Sequence, residues 1–200
     1  RGGLWCVGVN LLGFSLDAAA GRRGNYAGPG IGDLYYFHRA GANCFRLAVT
    51  WERLQSALGS EELDPVPGIE RAIDLITTDL NAHVIVDPHN GEFGLQHNGV
   101  NAVRSDFSKL WAAMAKKWGS NDKVIFGLYN EPHGGFEDGA EGYFHRDAPD
   151  ERGEVVELWR QWAQAAIDAI RATGAKNLVL VPGLHRSSAA EWAGGGWGAP

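Results

Sequence analysis

Five short and almost entirely apolar segments constrain the fold of this chain more than any other feature. They are rich in β-branched and aliphatic side chains, and they occupy residues 4–10, 43–49, 83–88, 123–129 and 177–182. Near-continuous hydrophobicity over such short lengths is typical of strands that are covered on both faces, as in a parallel sheet.

Helical patterns lie between these segments. Apolar side chains fall on one side of a helix over residues 103–118 and again over residues 155–170. Shorter helices are predicted over residues 33–39 and 67–80. Because strand and helix alternate along the chain, we expect right-handed βαβ units and an α/β fold.

The second strand favours a closed barrel over an open sheet. One of its faces carries the large apolar residues Phe45, Leu47 and Val49. The other face carries two small residues and one arginine, namely Cys44, Ala48 and Arg46. In a barrel the first face meets helices, while the second faces a narrow interior where Arg46 can find a carboxylate. The fold is therefore predicted to be a (β/α)8 TIM barrel.

The length of the chain bounds how much of such a barrel it can form. A barrel of this type takes about 250 residues and eight strands, whereas this chain has 200 residues and five predicted strands. We expect residues 1–200 to form about five βα units of one barrel, with no second domain. Residues 134–153 are too long to be a simple connector.

Composition excludes several classes of protein. The net charge of −6, from 24 acidic and 18 basic residues, opposes binding to nucleic acid, and the apolar runs are far too short to cross a membrane. Two cysteines, Cys6 and Cys44, are too few for a disulfide scaffold or a zinc site, and we expect them to be buried thiols rather than a disulfide. No signal peptide is recognisable in the chain.

Polar residues gather where the strands are predicted to end. Asn10 ends the first strand, Trp51 and Glu52 follow the second, DPHN ends the third at 87–90, and NEPH ends the fourth at 130–133. In parallel α/β folds the reactive groups lie at these carboxyl ends. The lysines at 123 and 176 lie at the opposite ends, which argues against a Schiff-base enzyme.

Three other kinds of site are disfavoured. The sequence GPGIG at 28–32 does not match a dinucleotide fingerprint, and no nucleophile elbow is present. A metal site built from Asp87, His89 and His133 is conceivable, but no HxH or HExxH pair supports it. We therefore expect neither a metal nor a cofactor.

Glu131 is the strongest candidate for chemistry. Apolar surroundings at a strand end favour the neutral form of a carboxyl, which is the form that a general acid needs. The alternative is a structural glutamate paired with Arg46. Strict alternation would place Asn130 and Glu131 on opposite faces, so both reach one site only if the strand end bulges or turns.

Five ordered motifs resemble glycoside hydrolase family 5, and most of all its endo-β-1,4-glucanases, the cellulases. They read GVN at 8–10, NCFRL at 43–47, VDPHN at 86–90, FGLYNEPH at 126–133 and LVPG at 180–183. The resemblance implies a (β/α)8 barrel of retaining enzymes. It makes Glu131 the catalytic acid/base, Asn130 the partner of the sugar 2-hydroxyl, and Arg46 and His89 the residues that order the site. The family's nucleophile, a glutamate on the seventh strand, would lie beyond residue 200.

Tryptophans offer flat surfaces for glucose rings. Those on predicted helix faces are expected in the core, namely Trp111, Trp118, Trp159 and Trp162. Those beyond strand ends are candidates for sugar stacking: Trp192 is our main candidate, and Trp51 and Trp197 are two further ones.

Taken with the resemblance, the sequence predicts a retaining, endo-acting hydrolase of β-1,4-glucan, secreted and monomeric at full length. These 200 residues alone are expected to be inactive, because the nucleophile is absent. Within the same class, a β-1,4-mannanase or another β-glucanase is the alternative. From another class, a non-catalytic glycan-binding relative or a half-barrel that pairs with a second chain remains open.

Overall fold

The computed structural model describes residues 5–14, 29–89, 95–132 and 152–183. In chain order the strands are β1 (Gly8–Phe14), β2 (Cys44–Val49), β3 (His83–Pro88), β4 (Gln96–His97), β5 (Val100–Asn101), β6 (Val124–Gly127) and β7 (Val179–Leu180). The helices are α1 (Ile31–Arg39), α2 (Trp51–Leu54), α3 (Pro67–Asp74), α4 (Arg104–Trp118) and α5 (Arg152–Ala172), and a π-helical turn, Leu75–Asp79, continues α3.

Five strands form one parallel sheet in the order β1-β2-β3-β6-β7, and β4 and β5 form a separate antiparallel hairpin. Each strand pairs with the strand of this sheet that comes next in the chain, and at least one helix lies between the two. This is the arrangement of successive βα units in a barrel wall. The predicted α/β class and the five predicted strands are confirmed.

Three strand boundaries differ from the prediction. β1 begins at Gly8 and runs to Phe14, so Asn10 lies within the strand, opposite Arg46, rather than at its end. β6 and β7 are shorter than their apolar segments; Leu128 and Tyr129, for example, follow β6 and are buried without belonging to it. The reason is that apolar character reports burial, and burial continues past the ends of these strands.

The outer face of the sheet packs against the helices, as the second strand predicted. Phe45, Leu47 and Val49 are fully buried in the core. Alternate residues of β3 and β6 extend the same core, namely Val84, Val86, Val124 and Phe126. From the helices, Trp111, Trp118, Trp159 and Trp162 join this core, which confirms their prediction as core residues. No helix in the described part of the chain is long and apolar enough to span a bilayer.

A glycine on the inner face of the sheet makes room for Asp87. Gly127 lies on this face beside Asp87, and a Cβ atom at Gly127 would come within 3.0 Å of Asp87 Oδ1 and 3.1 Å of Ile85 Cγ2. Since such distances are shorter than ordinary contacts, a larger residue would displace the aspartate. The glycine therefore leaves room for a polar group inside the barrel wall.

Cys6 and Cys44 form a disulfide, with their Cα atoms 5.5 Å apart, so the expectation of two free thiols is wrong. The side chain of Asn43 holds the segment before β1 beside β2: its Oδ1 accepts from the Val7 N–H at 2.7 Å, and its Nδ2 donates to the Trp5 carbonyl at 3.1 Å. The pairing depends on contacts between segments 38 residues apart, which the local apolar pattern did not reveal.

Candidate active site

Arg46 is the centre of a polar cluster on the inner face of the sheet. Its Nη1 donates to Asn10 Oδ1 at 2.9 Å, and its Nη2 donates to Asp87 Oδ2 at 2.5 Å and to Asn130 Oδ1 at 2.8 Å. These partners come from β1, from β3 and from the segment after β6. A planar guanidinium with several fixed donors is suited to holding three oxygens at once. The expectation that Arg46 finds a carboxylate in the interior is confirmed, and that carboxylate is Asp87.

Asp87 is the most buried charged group of the cluster, with its side chain 5% exposed. Burial raises the pKa of this carboxyl, while the neighbouring His89 and the Arg46 guanidinium lower it, and the net shift is upward. Asp87 lies near the end of β3, where its partner in the register of β2 is Ala48, two residues after Arg46.

His89 follows β3 and is drawn toward the same cluster. Its backbone N–H donates to the Val49 carbonyl at 2.8 Å, and its Nδ1 lies 3.5 Å from Asp87 Oδ2. The imidazole is therefore positioned next to the carboxylate that Arg46 binds. Arg46 and His89 therefore both lie beside Asp87.

Asn130 and Glu131 lie where the chain turns after β6. The Asn130 N–H donates to the Pro88 carbonyl at 2.9 Å, which ties this segment to the end of β3. Glu131 is half-buried and has φ of 45°, in the left-handed region that a glutamate rarely adopts. Such a conformation costs on the order of 1–3 kcal/mol and persists where surrounding contacts enforce it. The backbone turns at this residue, so the alternation of an extended strand does not continue through it.

The remaining predicted site residues do not belong to the Arg46 cluster that the structure describes. Trp51 is fully buried in the core, so its candidacy for sugar stacking is wrong; the first residue of α2 faces the helix layer, not the cleft. Trp192, Trp197 and His133 lie outside the described residues. Among the residues that the structure describes, no group of three His, Cys, Asp or Glu side chains is arranged to hold a metal ion.

Sequence reasoning overlooked two members of this neighbourhood. It considered Asp87 only as a possible metal ligand, although a charged residue inside the apolar run VIVDP signals a buried partner. It also passed over Tyr129, which is 2% exposed. Burial, followed by the charges of Glu52 and Asp87, raises the pKa of its hydroxyl well above the usual value.

Comparison with known proteins identifies the family. The family model for cellulase, glycosyl hydrolase family 5, matches residues 12–197. The manganese-dependent endoglucanase Eg5A of Phanerodontia chrysosporium is 30% identical over 194 residues, and endoglucanase 1 of Saitozyma flava is 34% identical over 197 residues. The matches cover 91% and 92% of this chain, but 44% and 51% of those proteins. The chain thus spans about half the length of the curated relatives.

Solved structures of endo-β-1,4-glucanases resemble this chain in fold. The endo-β-1,4-glucanase Xac0029 of Xanthomonas axonopodis pv. citri has a TM-score of 0.76 and 32% identity, and the match covers 98% of this chain and 57% of that one. XacCel5A in complex with cellopentaose has a TM-score of 0.75 and 30% identity, with 98% and 58% covered. These neighbours are (β/α)8 barrels, and this chain matches the part built from the first βα units. The chain belongs to the cellulase family, glycosyl hydrolase family 5.

Proposed function

We propose that this chain forms the amino-terminal part of a retaining endo-β-1,4-glucanase that cleaves cellulose. Its family membership, the endoglucanase names of its relatives and the cellopentaose bound to a structural neighbour support this proposal. One observation in this chain carries it: Arg46 binds Asn130 Oδ1 at 2.8 Å, and Glu131 follows Asn130 directly in a left-handed conformation.

Glu131 acts as the acid/base in this proposal. Retaining hydrolysis uses two carboxyl groups about 5–5.5 Å apart. An ionised carboxylate attacks the anomeric carbon, while Glu131 gives its proton to the glycosidic oxygen and the bond to the leaving sugar breaks. Glu131 then takes a proton from water as that water displaces the carboxylate. We place the nucleophile in the part of the barrel that follows residue 200.

Asn130 holds the sugar in place. A guanidinium can only donate hydrogen bonds, so the amide oxygen of Asn130 must face Arg46. This orientation leaves the amide nitrogen, a donor, as the group that meets an acceptor outside the cluster. A donor there suits the sugar 2-hydroxyl, and bonds to that hydroxyl strengthen in the transition state.

In this proposal, the polar cluster formed by Arg46, Asp87 and His89 favours the ionised form of the nucleophile. Arg46 keeps a cation beside the place where the nucleophile would ionise, and His89 stands next to Asp87 at the wall of the cleft. Trp192 is proposed to stack against a glucose ring.

We further propose that the complete protein is a secreted monomer. The disulfide between Cys6 and Cys44 supports secretion, because such bonds persist in oxidising compartments.

The test replaces Glu131 with glutamine in the complete catalytic domain. We expect Glu131→Gln to lower kcat on carboxymethylcellulose about 10²–10⁴-fold, as loss of general acid catalysis does. Hydrolysis of a dinitrophenyl cellobioside should fall less in its first step, because that leaving group needs no proton. Glu61→Gln, at an exposed site in the loop after α2, is the matched control and should retain full activity.

Three outcomes would overturn parts of the proposal. Unchanged carboxymethylcellulose hydrolysis by Glu131→Gln removes Glu131 from the acid/base role. Faster cleavage of β-mannan than of β-glucan by the unsubstituted domain makes it a mannanase. Glycan binding without hydrolysis by that domain identifies a non-catalytic binding protein.

A further inference from the structure

We propose that Asn10 is a positioning residue for the proposed reaction. Its side-chain oxygen fixes the orientation of the Arg46 guanidinium, and the guanidinium in turn orients the amide of Asn130 that is to meet the sugar 2-hydroxyl. The inference rests on the proposed function, and it extends the candidate active site to β1, on the far side of β2 from Asp87.

The side chain of Arg46 is held from both sides of its strand. β2 lies between β1 and β3 in the sheet. From β1, Asn10 Oδ1 accepts from Arg46 Nη1 at 2.9 Å, and from β3, Asp87 Oδ2 accepts from Nη2 at 2.5 Å. Asn130, which follows β6, accepts from the same Nη2 at 2.8 Å. Arg46 therefore bridges the two strands that flank its own.

The bond to Asn10 has a geometric effect that the other two bonds lack. Asp87 and Asn130 both bind Nη2, and contacts at a single nitrogen allow the flat group to swing about that atom. Asn10 binds the other terminal nitrogen, Nη1. Because the guanidinium is planar and rigid, contacts at two of its nitrogens define its orientation. Loss of the Nη1 contact would therefore loosen the donor that holds the Asn130 side chain.

Packing alone does not hold this guanidinium. The Arg46 side chain is 26% exposed, whereas the Asp87 side chain is 5% exposed. A long, partly exposed arginine loses much rotamer freedom when it is ordered, so directional hydrogen bonds have to supply the order. The bond from Asn10 is one of three that do so.

The backbone around Asn10 is held in one register. In the pairing of β1 with β2, Asn10 lies opposite Arg46 and Gly8 lies opposite Cys44. A Cβ atom at Gly8 would lie 1.6 Å from the Cys44 carbonyl oxygen, so this close approach of the two strands requires glycine. A shift of one residue would turn Asn10 to the other face of the sheet.

Contacts just before β1 secure the same register. The Asn43 side chain accepts from the Val7 N–H at 2.7 Å, and the Asn43 N–H donates to the Val7 carbonyl at 2.8 Å. The disulfide between Cys6 and Cys44 lies next to these bonds. Asn10 therefore offers its oxygen to Arg46 from a backbone that is already fixed.

Asn10 supplies an acceptor that carries no charge. Its amide oxygen must face Arg46, because a guanidinium only donates hydrogen bonds. Asp87 already opposes the single positive charge of Arg46. A second carboxylate at position 10 would make this group negative overall, which disfavours the ionised form of a neighbouring nucleophile. An asparagine orients the guanidinium and leaves this balance of charge unchanged.

The test compares two substrates that differ in one hydroxyl. They are an aryl β-cellobioside and its analogue without the 2-hydroxyl on the glucose next to the cleaved bond. In the complete catalytic domain we expect Asn10→Ala to lower kcat on the first substrate about 5- to 20-fold with KM nearly unchanged, because bonds to that hydroxyl strengthen in the transition state. The rate on the deoxy analogue should fall by about twofold at most. A merely structural role would lower both rates alike.

A second pair of variants tests whether the acceptor oxygen matters. Asn10→Leu has a similar size but no acceptor, so it should lose as much kcat as Asn10→Ala. Asn10→Asp keeps an oxygen and should recover most of the loss at its own pH optimum. Its added charge should move the acidic limb of the pH–rate profile upward, since a carboxylate raises the pKa of neighbouring acids.

Asn81→Gly is the matched control. It removes another asparagine oxygen that accepts from a cation, Lys123 Nζ, at the opposite edge of the sheet. Asn81 has φ of 51°, a conformation that glycine tolerates. This variant should leave the rates on both substrates unchanged.

Three results would overturn the inference. The first is an unchanged kcat in Asn10→Ala, and the second is an equal loss on the two substrates. The third is an Asn10→Asp variant that recovers no more activity than Asn10→Leu.

Failure of the proposed function is a separate outcome. If the unsubstituted domain hydrolyses neither β-glucan nor the aryl cellobioside, the proposed activity is wrong. Crystal structures of the variants then decide the role of Asn10. Loss of the bond between Arg46 and Asn130 in Asn10→Ala, with its retention in Asn10→Asp, supports the positioning role, and an intact bond in Asn10→Ala rejects it.

Discussion

Arg46 and Asn130 are separated by 84 positions in the chain and joined by a 2.8 Å hydrogen bond from Nη2 to Oδ1. The same Nη2 atom binds Asp87. Arg46 therefore links three strands of the sheet at the place where the proposed acid/base follows Asn130. The guanidinium orients the side chain of Asn130, while the bond from its backbone N–H to the Pro88 carbonyl holds its main chain.

Replacing Arg46 with lysine should disrupt the site without removing its charge. A single ammonium group lacks the planar fork that reaches Asn10, Asp87 and Asn130 together. In the complete catalytic domain we expect kcat/KM on carboxymethylcellulose to fall about 10²-fold, as displacement of a positioned group does. Arg104→Lys, at an exposed arginine that bonds to Gln161, is the control. Equal activity of the two variants contradicts the role of Arg46.

Asp87 should make the stability of the chain depend on pH. Burial raises the pKa of Asp87 above its usual 3.8, so on raising the pH the unfolded chain releases this proton before the folded chain does. The stability that Asp87 contributes is complete below about pH 4 and declines as the pH rises through the folded pKa.

Urea unfolding from pH 4 to pH 7 measures this effect. The free energy of unfolding of the unsubstituted chain, minus that of Asp87→Asn, should decrease across the range. A difference that stays constant or increases would show that Asp87 is not held with a raised pKa.

The disulfide between Cys6 and Cys44 should stabilise the chain. It closes a loop with a sequence separation of 38, for which restriction of the unfolded state contributes about 2–4 kcal/mol. We expect a reductant to lower the urea midpoint of the unsubstituted chain. The double variant Cys6→Ser/Cys44→Ser should show the lower midpoint with or without reductant. A midpoint that does not respond to reductant in the unsubstituted chain argues against the bond.

Two glycines should respond oppositely to alanine. Gly119 ends α4, and a Cβ atom there would lie 2.3 Å from the Ala115 carbonyl oxygen and 2.7 Å from Ala175 Cβ. We expect Gly119→Ala to destabilise the chain by about 1–3 kcal/mol through overpacking. Gly32 lies in α1 with nothing within 4 Å of its added Cβ, so Gly32→Ala should stabilise by about 0.5–1 kcal/mol. Thermal unfolding of both variants gives the two signs, and a shift in the same direction contradicts the packing argument.

Local patterns in the sequence predicted much of this architecture. The order of strands and helices, the apolar outer face of β2 and the burial of Trp111, Trp159 and Trp162 all follow from hydrophobic periodicity. Periodicity identifies which side of an element is covered, and that side does not depend on which element covers it. The same pattern placed Arg46 in the interior, where we expected it to find a carboxylate.

Tertiary structure alone decided which distant groups meet. It chose Asp87 as the carboxylate for Arg46, joined Cys6 to Cys44, turned Trp51 into the core and set Glu131 in a left-handed turn. Each of these outcomes depends on the register between strands or on contacts between segments far apart in the chain. A shift of one residue in register reverses the faces of a strand, so a local pattern cannot specify such partners, whereas the paired sheet does.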